Sequence, residues 1–556
     1  MTDATPVTAT TRRLAWPGAG LWNLYFLAVC ALDALDYLEI KPLENALLLL
    51  WVMVPLTPPI LKGLRTFVAV IAGTALLWSE SWLPGPDAIL QNLDNLKHFT
   101  PAYLAELALD FVNPTMLIVA LLGLLLWVAL REWVRFTTLS ILALVVTAYP
   151  GLVAPIVNLY QNSPTVTVRT TIVQATAPST QVDTATPQPP QKEVASEAVL
   201  NAWYQRFLET EAKRQTVFKA SADDAQRFDI AVLNICSLSS DDLEAASLNT
   251  HPVFARFDVK FDAFNSATAY SGPATLRLVN GACGQPSHTK LYQGQPQACH
   301  WMTTLEKAGW QSQLVMDHNG AFDHYLQNLR TVGGLSAPLM NQANLGTQYE
   351  AFDGSPIYRT RDVFNTWLKA RNTSTQSTVS LFNLIALHDG NRQPGHSKSL
   401  DFKPRASQLL DDLDHFITQL ETTGRPVMLI VVPEHGAAVR GDKVQMARLR
   451  EIPSPKITHV PVFVKFVGLK DVGAQRTISA PTSYLALTEL MARTIDSGLY
   501  RTPETNVEAT IERITTDLPT TWAVSENSGA LILPYQQNVW IKLKNGFISE
   551  VRGTRP

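Results

Sequence analysis

Five stretches in the first 160 residues carry no charged side chain: Leu14–Leu32, Asn45–Leu61, Thr66–Ser79, Phe111–Leu130 and a run opening at Phe136 as FTTLSILALVVTAYPGLVAPIV. Nothing else in the chain constrains its folding as strongly, because a segment survives in hydrocarbon only where its own helix satisfies every N–H and C=O. The fourth run has the length that a bilayer core demands, about 20 residues, and the fifth matches it. The third is short, and Pro17 and Gly18 interrupt the first, so each alone is marginal. Five such runs so close together argue against buried helices of a soluble domain. No short apolar region is followed by a clear cleavage site, so a signal peptide is not expected either. The reading is a transmembrane anchor of about five helices over residues 1–160.

Basic residues orient it. Arg12 and Arg13 precede the first run, Lys62 and Arg65 lie between the second and third, and Arg131 and Arg135 lie between the fourth and fifth. With five spans these fall on one side, which reads as cytoplasmic. The loop Pro84–Asp110 and everything after Tyr160 then lie outside; Lys41 and Lys97 are weak exceptions. Lys and Arg total 45 against 48 Asp and Glu, a net charge of −3, so no nucleic-acid partner is expected.

Residues 161–195 turn to Thr, Pro, Gln and Val and read as an extended linker. Leu200, Trp203, Tyr204, Phe207 and Leu208 then recur at helical spacing and open a second domain over 196–556. There, apolar runs (FDIAVLNI, LFNLIALH, VMLIVVPE, HVPVFVKFVG) alternate with helical stretches, including Ser407–Leu420 and Thr482–Thr494. That alternation argues for an exported α/β domain with a mostly parallel sheet flanked by helices. Asn545-Gly546 between alternating residues signals a late hairpin.

There are four cysteines. Cys30 falls in the first run. Cys283 and Cys299 flank a polar loop of the exported half, where oxidation favours a disulfide between them. Cys236 is left over and needs another explanation.

Ligands gather outside the carboxyl ends of strands in open α/β sheets. FDIAVLNI ends at Cys236, VMLIVVP at Glu434-His435-Gly436 and LFNLIALH at His388-Asp389-Gly390. Thiolate, carboxylate and imidazole together suit Zn²⁺. Singly each is weak, since a lone Cys is usually a small core residue; their convergence is what points to a metal. Ser271, in Ala-Tyr-Ser-Gly-Pro-Ala, stands at a helix start, where free N–H groups favour an anion. It reads both as a helix cap and as a candidate nucleophile. It is not in a G-x-S-x-G elbow, and H-E-x-x-H and P-loop motifs are missing from the sequence.

A strand ending in a metal ligand, Ser at a helix start and a strand ending in acid-His-Gly resemble the alkaline phosphatase superfamily. Within it, the membrane-anchored phosphoethanolamine transferases share a five-span anchor and an exported catalytic domain. Most of those carry Asp-His and a carboxylate after the first strand; this chain carries Glu434-His435 and Cys236 instead. NICSLS, FNSATAYSGPA, the Cys283/Cys299 pair, LHDGN and VVPEHGAAV are similar to one branch, the cellulose phosphoethanolamine transferases (BcsG) of bacterial cellulose synthase systems.

The resemblance implies one Zn²⁺ held by Cys236, Glu434 and His435, with Ser271 completing the shell. It implies that Tyr270 contacts the phosphoryl group, that His388 serves as general acid/base or phosphate contact, and that Arg450 steadies the phosphate, although a plain surface charge explains Arg450 as well. The implied reaction transfers phosphoethanolamine from phosphatidylethanolamine to glucosyl 6-hydroxyls of cellulose through a phosphoethanolamine-serine intermediate. The implied setting is the bacterial inner membrane, with the catalytic domain in the periplasm beside cellulose synthase subunits. Two alternatives stand beside it: an acceptor in lipopolysaccharide or another envelope glycan, and a non-catalytic scaffold of a synthase. An aromatic-lined groove, with Trp301 and Trp310 as candidates, would favour a polysaccharide acceptor.

Overall fold

The computed structural model describes residues 18–35, 38, 40–56, 58–81, 97–110, 114–149, 195–219, 228–442, 444–501, 506–536, 538–543 and 548–551. The chain divides into two compact units, residues 1–85 with 110–183, and residues 86–109 with 184–556.

The described elements of the first unit are helices, Trp22–Ala34, Pro42–Met53, Pro59–Glu80, Pro114–Leu130 and Phe136–Ala148, with one isolated bridge between Leu38 and Ser81. All five uncharged runs therefore yield helices, but not of the expected lengths. Among the described residues only Pro59–Glu80, with 22 residues, forms a helix long and apolar enough to cross a membrane. Pro55, Pro58 and Pro59 cut the second run to 12 residues, roughly 18 Å at 1.5 Å per residue, against a core of about 30 Å. The third run, expected to be short, gains about two turns by starting at Pro59 and absorbing Lys62 and Arg65. Phe26, Val29, Leu48, Val52, Ala69 and Leu144 form this unit's core. Its outer faces are apolar as well: Leu121, Leu122, Leu125 and Leu126 are each more than half exposed.

The second unit is built on a seven-stranded sheet. Its strands are β1 (Asp229–Cys236), β2 (Val259–Asn265), β3 (Gln311–Met316), β6 (Thr378–Leu384), β7 (Val427–His435), β8 (His459–Val467) and β9 (Arg476–Ile478); β4 (Thr347–Glu350) and β5 (Pro356–Tyr358) form a separate ribbon. The order across the sheet is β3-β6-β1-β7-β8-β2-β9. β8 runs antiparallel to both neighbours and the rest are parallel, so the sheet is mixed and mostly parallel. Every residue of β1, β6 and β7 is buried, which is why they read as continuous apolar runs rather than alternating ones. Ile230, Val232, Met428 and Ile430 pack on one face beneath helices Ser271–Val279 and Tyr484–Asp496. Ala231, Leu233, Leu429 and Val431 pack on the other, beneath Thr360–Asn372 and Phe402–Thr423.

At the sheet's amino end, buried Asp229 receives Arg371 (3.3 Å), Arg425 and the Thr378 N–H (2.6 Å). A four-stranded antiparallel sheet, β10 (Ser525–Glu526) through β11 (Ala530–Tyr535), β12 (Asn538–Leu543) and β13 (Ile548–Val551), closes the unit. It packs Leu531, Leu533 and Tyr535 against Leu200, Trp203 and Phe207 of helix Glu197–Glu211. β12 and β13 pair antiparallel as a hairpin must; Asn545-Gly546 and most of the expected linker lie outside the described residues.

Candidate metal and phosphoryl-transfer site

Cys236 is the last residue of β1, and Glu434 and His435 are the last two of the neighbouring β7. Adjacent residues on a regular strand point to opposite faces, so Glu434 and His435 would not share a site on an undistorted β7. The register shifts at this point: Ile235 pairs with Pro433 but Cys236 pairs with His435. One extra residue on β7 is a bulge, and bulges re-aim side chains. Sγ of Cys236, a carboxylate oxygen of Glu434 and a ring nitrogen of His435 thereby come within 4.8 Å of one another, all buried.

Ser271 supplies the fourth group. It is the first residue of helix Ser271–Val279, with Tyr270 at the cap position, so it does not itself cap the helix. Its Oγ lies 3.2 Å from Cys236 Sγ and 3.3 Å from His435 Nε2. It is half-buried where the other three are enclosed, so the hydroxyl is the member of the cluster that a substrate can reach.

The surroundings prepare these atoms to bind a cation. His435 Nδ1–H donates to the Gly436 carbonyl at 2.9 Å, which leaves the Nε2 lone pair facing the cluster. Glu434 Oε1 accepts from Asn383 Nδ2 (2.5 Å) and Thr275 Oγ (3.0 Å). Oε2 is buried, finds no hydrogen-bond partner among the described residues, and lies 3.9 Å from His435 Nε2. Burial and the nearby Glu434 push the Cys236 thiol up to about 12. Burial raises the Glu434 carboxyl, and burial with Arg450 drives His435 well below the usual imidazole value. Burial thus favours the protonated thiol and carboxyl, and a divalent ion reverses that preference. One sulfur, one oxygen and one nitrogen donor, with an orphaned carboxylate oxygen among them, fit a zinc-type ion.

Asp242 holds the turn behind His435. Its buried carboxylate accepts from the N–H groups of Ser239 (2.9 Å), Ala437 (2.6 Å) and Val439 (3.1 Å). A Cβ on Gly436 would meet Ser239 Cβ at 2.7 Å and Asp242 Oδ2 at 2.9 Å, so the turn requires glycine.

Arg450 donates from Nη1 to Ser237 Oγ (3.3 Å), beside Cys236. Its charge lowers Cys236, His435 and His388 alike, so it lies among them rather than on an open surface. β6 ends at Leu384, so His388 stands in the loop beyond it and not at the strand end expected from LFNLIALH. Its Nδ1–H donates to the Asp389 carbonyl (2.7 Å), and burial, then Arg450, bring it down to about 4. The Tyr270 hydroxyl donates to Glu451 (2.5 Å), the residue after Arg450. Cys283 and Cys299 are joined as a disulfide.

A further expectation is overturned. Trp301 and Trp310 line no groove: both are core residues, their indole N–H groups donating to the carbonyls of Leu278 (2.7 Å) and Phe228 (3.0 Å). Sequence reasoning also passed over Asn383, Thr275 and Asp242. Of these only Asp242 left a readable trace, the Ser239-x-x-Asp242 capping box.

Comparison with known proteins bears on this geometry. Residues 22–149 match the model of the "Cellulose biosynthesis protein BcsG N-terminal domain", and residues 184–547 match that of the C-terminal domain. The chain belongs to the BcsG family. "Cellulose biosynthesis protein BcsG" of Salmonella typhimurium is 42% identical over 542 residues, covering 96% of each chain. Its counterpart in Escherichia coli is 40% identical over 556 residues, covering 98% of this chain and 99% of the other. Among solved structures, an alkaline phosphatase superfamily protein from Vibrio parahaemolyticus aligns at TM-score 0.44 and 13% identity, over 62% of this chain and 87% of that one. The periplasmic domain of EcEptC from Escherichia coli, in complex with Zn, aligns at TM-score 0.38 and 12% identity, over 58% and 96%. Both likenesses are too loose to argue from, and the family assignment rests on the BcsG matches.

Proposed function

We propose that this BcsG family member is a zinc-dependent phosphoethanolamine transferase with an alkaline phosphatase-like catalytic domain, moving the group from phosphatidylethanolamine to glucosyl 6-hydroxyls of cellulose. The observation that carries it is the meeting of Cys236, Glu434 and His435 with the half-buried Ser271 hydroxyl. Cys236, Glu434 and His435 would hold the ion, which when bound supplies positive charge that favours an ionised serine and a developing phosphoryl anion.

Ser271 loses its proton, its Oγ forms a bond to phosphorus, and the bond from phosphorus to the diacylglycerol oxygen breaks. His388, neutral near pH 7, takes the serine proton and passes it to that departing oxygen. In the second half a glucosyl 6-hydroxyl gives its proton to His388, its oxygen bonds to phosphorus, and Ser271 is released and reprotonated. Arg450 steadies the phosphate oxygens, and the first-turn N–H groups of helix Ser271–Val279 face the same charge. Tyr270, through Glu451, positions the Arg450 loop. This reading takes the first unit as a multi-pass inner-membrane anchor, N-terminus cytoplasmic, that holds the catalytic domain in the periplasm at the leaflet that supplies the lipid. Cellulose synthase subunits are the partners this reading calls for.

Peptide-mapping mass spectrometry tests it on the full chain, zinc-loaded, in phosphatidylethanolamine nanodiscs without acceptor. A phosphoethanolamine adduct on Ser271 is expected, lost in Ser271→Ala and discharged by cello-oligosaccharide. No adduct with zinc bound overturns the transferase reading. Discharge by water at the same rate makes the protein a hydrolase, and discharge only by a lipopolysaccharide core moves the acceptor.

A further inference from the structure

Residues 97–109 lie in sequence between two apolar helices of the first unit, yet they belong to the second. Their contacts are with the loops beyond the carboxyl ends of the sheet strands. The Thr100 N–H donates to the Phe352 carbonyl (3.1 Å), and Arg392 donates to Thr100 Oγ (3.1 Å). Glu106 accepts from the N–H (3.2 Å) and hydroxyl (2.6 Å) of Ser399, while Arg448 lies 4.0 Å from Glu106 and 3.7 Å from Asp389. Phe99 and Tyr103 pack on Phe352 with ring centroids 5.2 and 5.8 Å apart, and Phe352 in turn packs on His388 at 4.8 Å.

The glycine at the centre of this contact explains the fit. Gly390, at φ +81°, has no Cβ; one built there would lie 2.7 Å from Cε2 of the Tyr103 ring and 2.9 Å from Phe352 Cβ. The loop that carries His388 is thus shaped to receive the Tyr103 ring edge, and the Arg392 guanidinium covers the ring 5.8 Å from its centroid. Burial, then the charge of Asp389, raises the Tyr103 phenol above its ordinary value.

We infer that the segment Phe99–Glu106 is a latch that positions the His388 and Arg450 loops for phosphoryl transfer, with Tyr103 as its central positioning residue. The inference rests on the transferase reading for its kinetic consequence but not for its structural one. Tyr103 touches no reacting atom in this scheme: it fixes Gly390 and Phe352, and through them the backbone and ring face of His388.

The test uses the full, zinc-loaded chain in nanodiscs. Hydrogen exchange at the amides of residues 386–400 and the rate of Ser271 adduct formation are measured for wild type, Tyr103→Ala, Tyr103→Phe and Glu106→Gln. Tyr103→Ala is expected to raise exchange across 386–391 at least tenfold and slow adduct formation at least tenfold, with zinc content unchanged. Tyr103→Phe keeps the ring and is expected to restore both. Glu106→Gln, which weakens only the Ser399 and Arg448 contacts, is expected to raise exchange at 399–400 without unfolding the chain. Unchanged exchange in both Tyr103→Ala and Glu106→Gln overturns the latch. Faster exchange with an unchanged adduct rate leaves a docked segment with no positioning role and overturns the inference as well. Absence of any adduct in wild type counts against the transferase reading instead, and the exchange data then judge the latch alone.

Discussion

Asn383→Leu is the most informative single change to the metal-ligand cluster. Asn383 is buried at the end of β6 and touches no expected ligand atom of the ion, only the outer oxygen of Glu434, at 2.5 Å. Its own Oδ1 pairs with His318 Nε2 at 2.7 Å. Its Nδ2 also donates to Asn234 Oδ1 at 3.3 Å, and leucine, close in volume, removes all three bonds. A hydrogen bond to a charged carboxylate contributes about 1.5–3 kcal/mol, and Thr275 still holds the same oxygen at 3.0 Å, so the lower half of that range is expected. Loss of such an outer partner typically weakens metal affinity about 10–100-fold, or about 1.4–2.7 kcal/mol, which agrees. The assay is competition for zinc between the full chain in detergent and a chromogenic chelator of known affinity. The control is Tyr325→Phe, which removes a weaker 3.5 Å contact to the same oxygen and is expected to cost less than threefold. Asn383→Leu within threefold of wild type would refute the argument that Glu434 is aimed by its outer oxygen.

Three further outcomes follow from the same structure. Asp229→Asn leaves two guanidinium groups without their buried counter-charge and is expected to destabilise the chain by about 3–5 kcal/mol in urea melts, with zinc content unchanged; a loss below 1 kcal/mol would contradict it. His318 is buried and held at about 4 against an ordinary 6.5, chiefly by burial. Between those values the unfolded chain binds a proton that the folded one refuses, so its share of stability is whole above pH 6.5 and lost as pH falls toward 4, at up to about 1.4 kcal/mol per pH unit. His318→Asn should flatten urea midpoints across that window, and an unchanged slope would exclude His318 as the cause. Cys283→Ser with Cys299→Ser opens a loop closed across 16 residues and is expected to cost about 3 kcal/mol, read by the same melts under oxidising conditions.

How much of this was legible in the sequence depends on how local the cause is. β1, β7 and β8 announce themselves as apolar runs because both faces of a mostly parallel sheet are covered, and the residues that end β1 and β7 are the ones that meet. The bulge that turns Glu434 and His435 to one side has no signal in VVPEH, since it is a mismatch between two strands rather than a property of either. Asn383 sits inside LFNLIALH, where a polar residue in an apolar run reads as an interruption until its partner, 51 residues away, is in place. Trp301 and Trp310 misled because indoles suit a sugar groove and a core equally well, and only their carbonyl partners decide.

The latch is the extreme case. Thr100 and Arg392 are 292 residues apart, and the segment between two apolar runs has no periodicity that marks it as anything but a connector. What does mark it, in retrospect, is the glycine on the far side. Asp389-Gly390 reads as an ordinary turn, and a turn explains the positive φ. It does not explain why a foreign aromatic ring fills the space where a Cβ would stand. A glycine needed for its own backbone tolerates an empty neighbourhood, as Gly395 does five residues later, at φ +78° with nothing within 4 Å of its absent Cβ. Gly390 is needed on both counts, and the second belongs to a loop that sequence alone reads as a connector between two membrane spans.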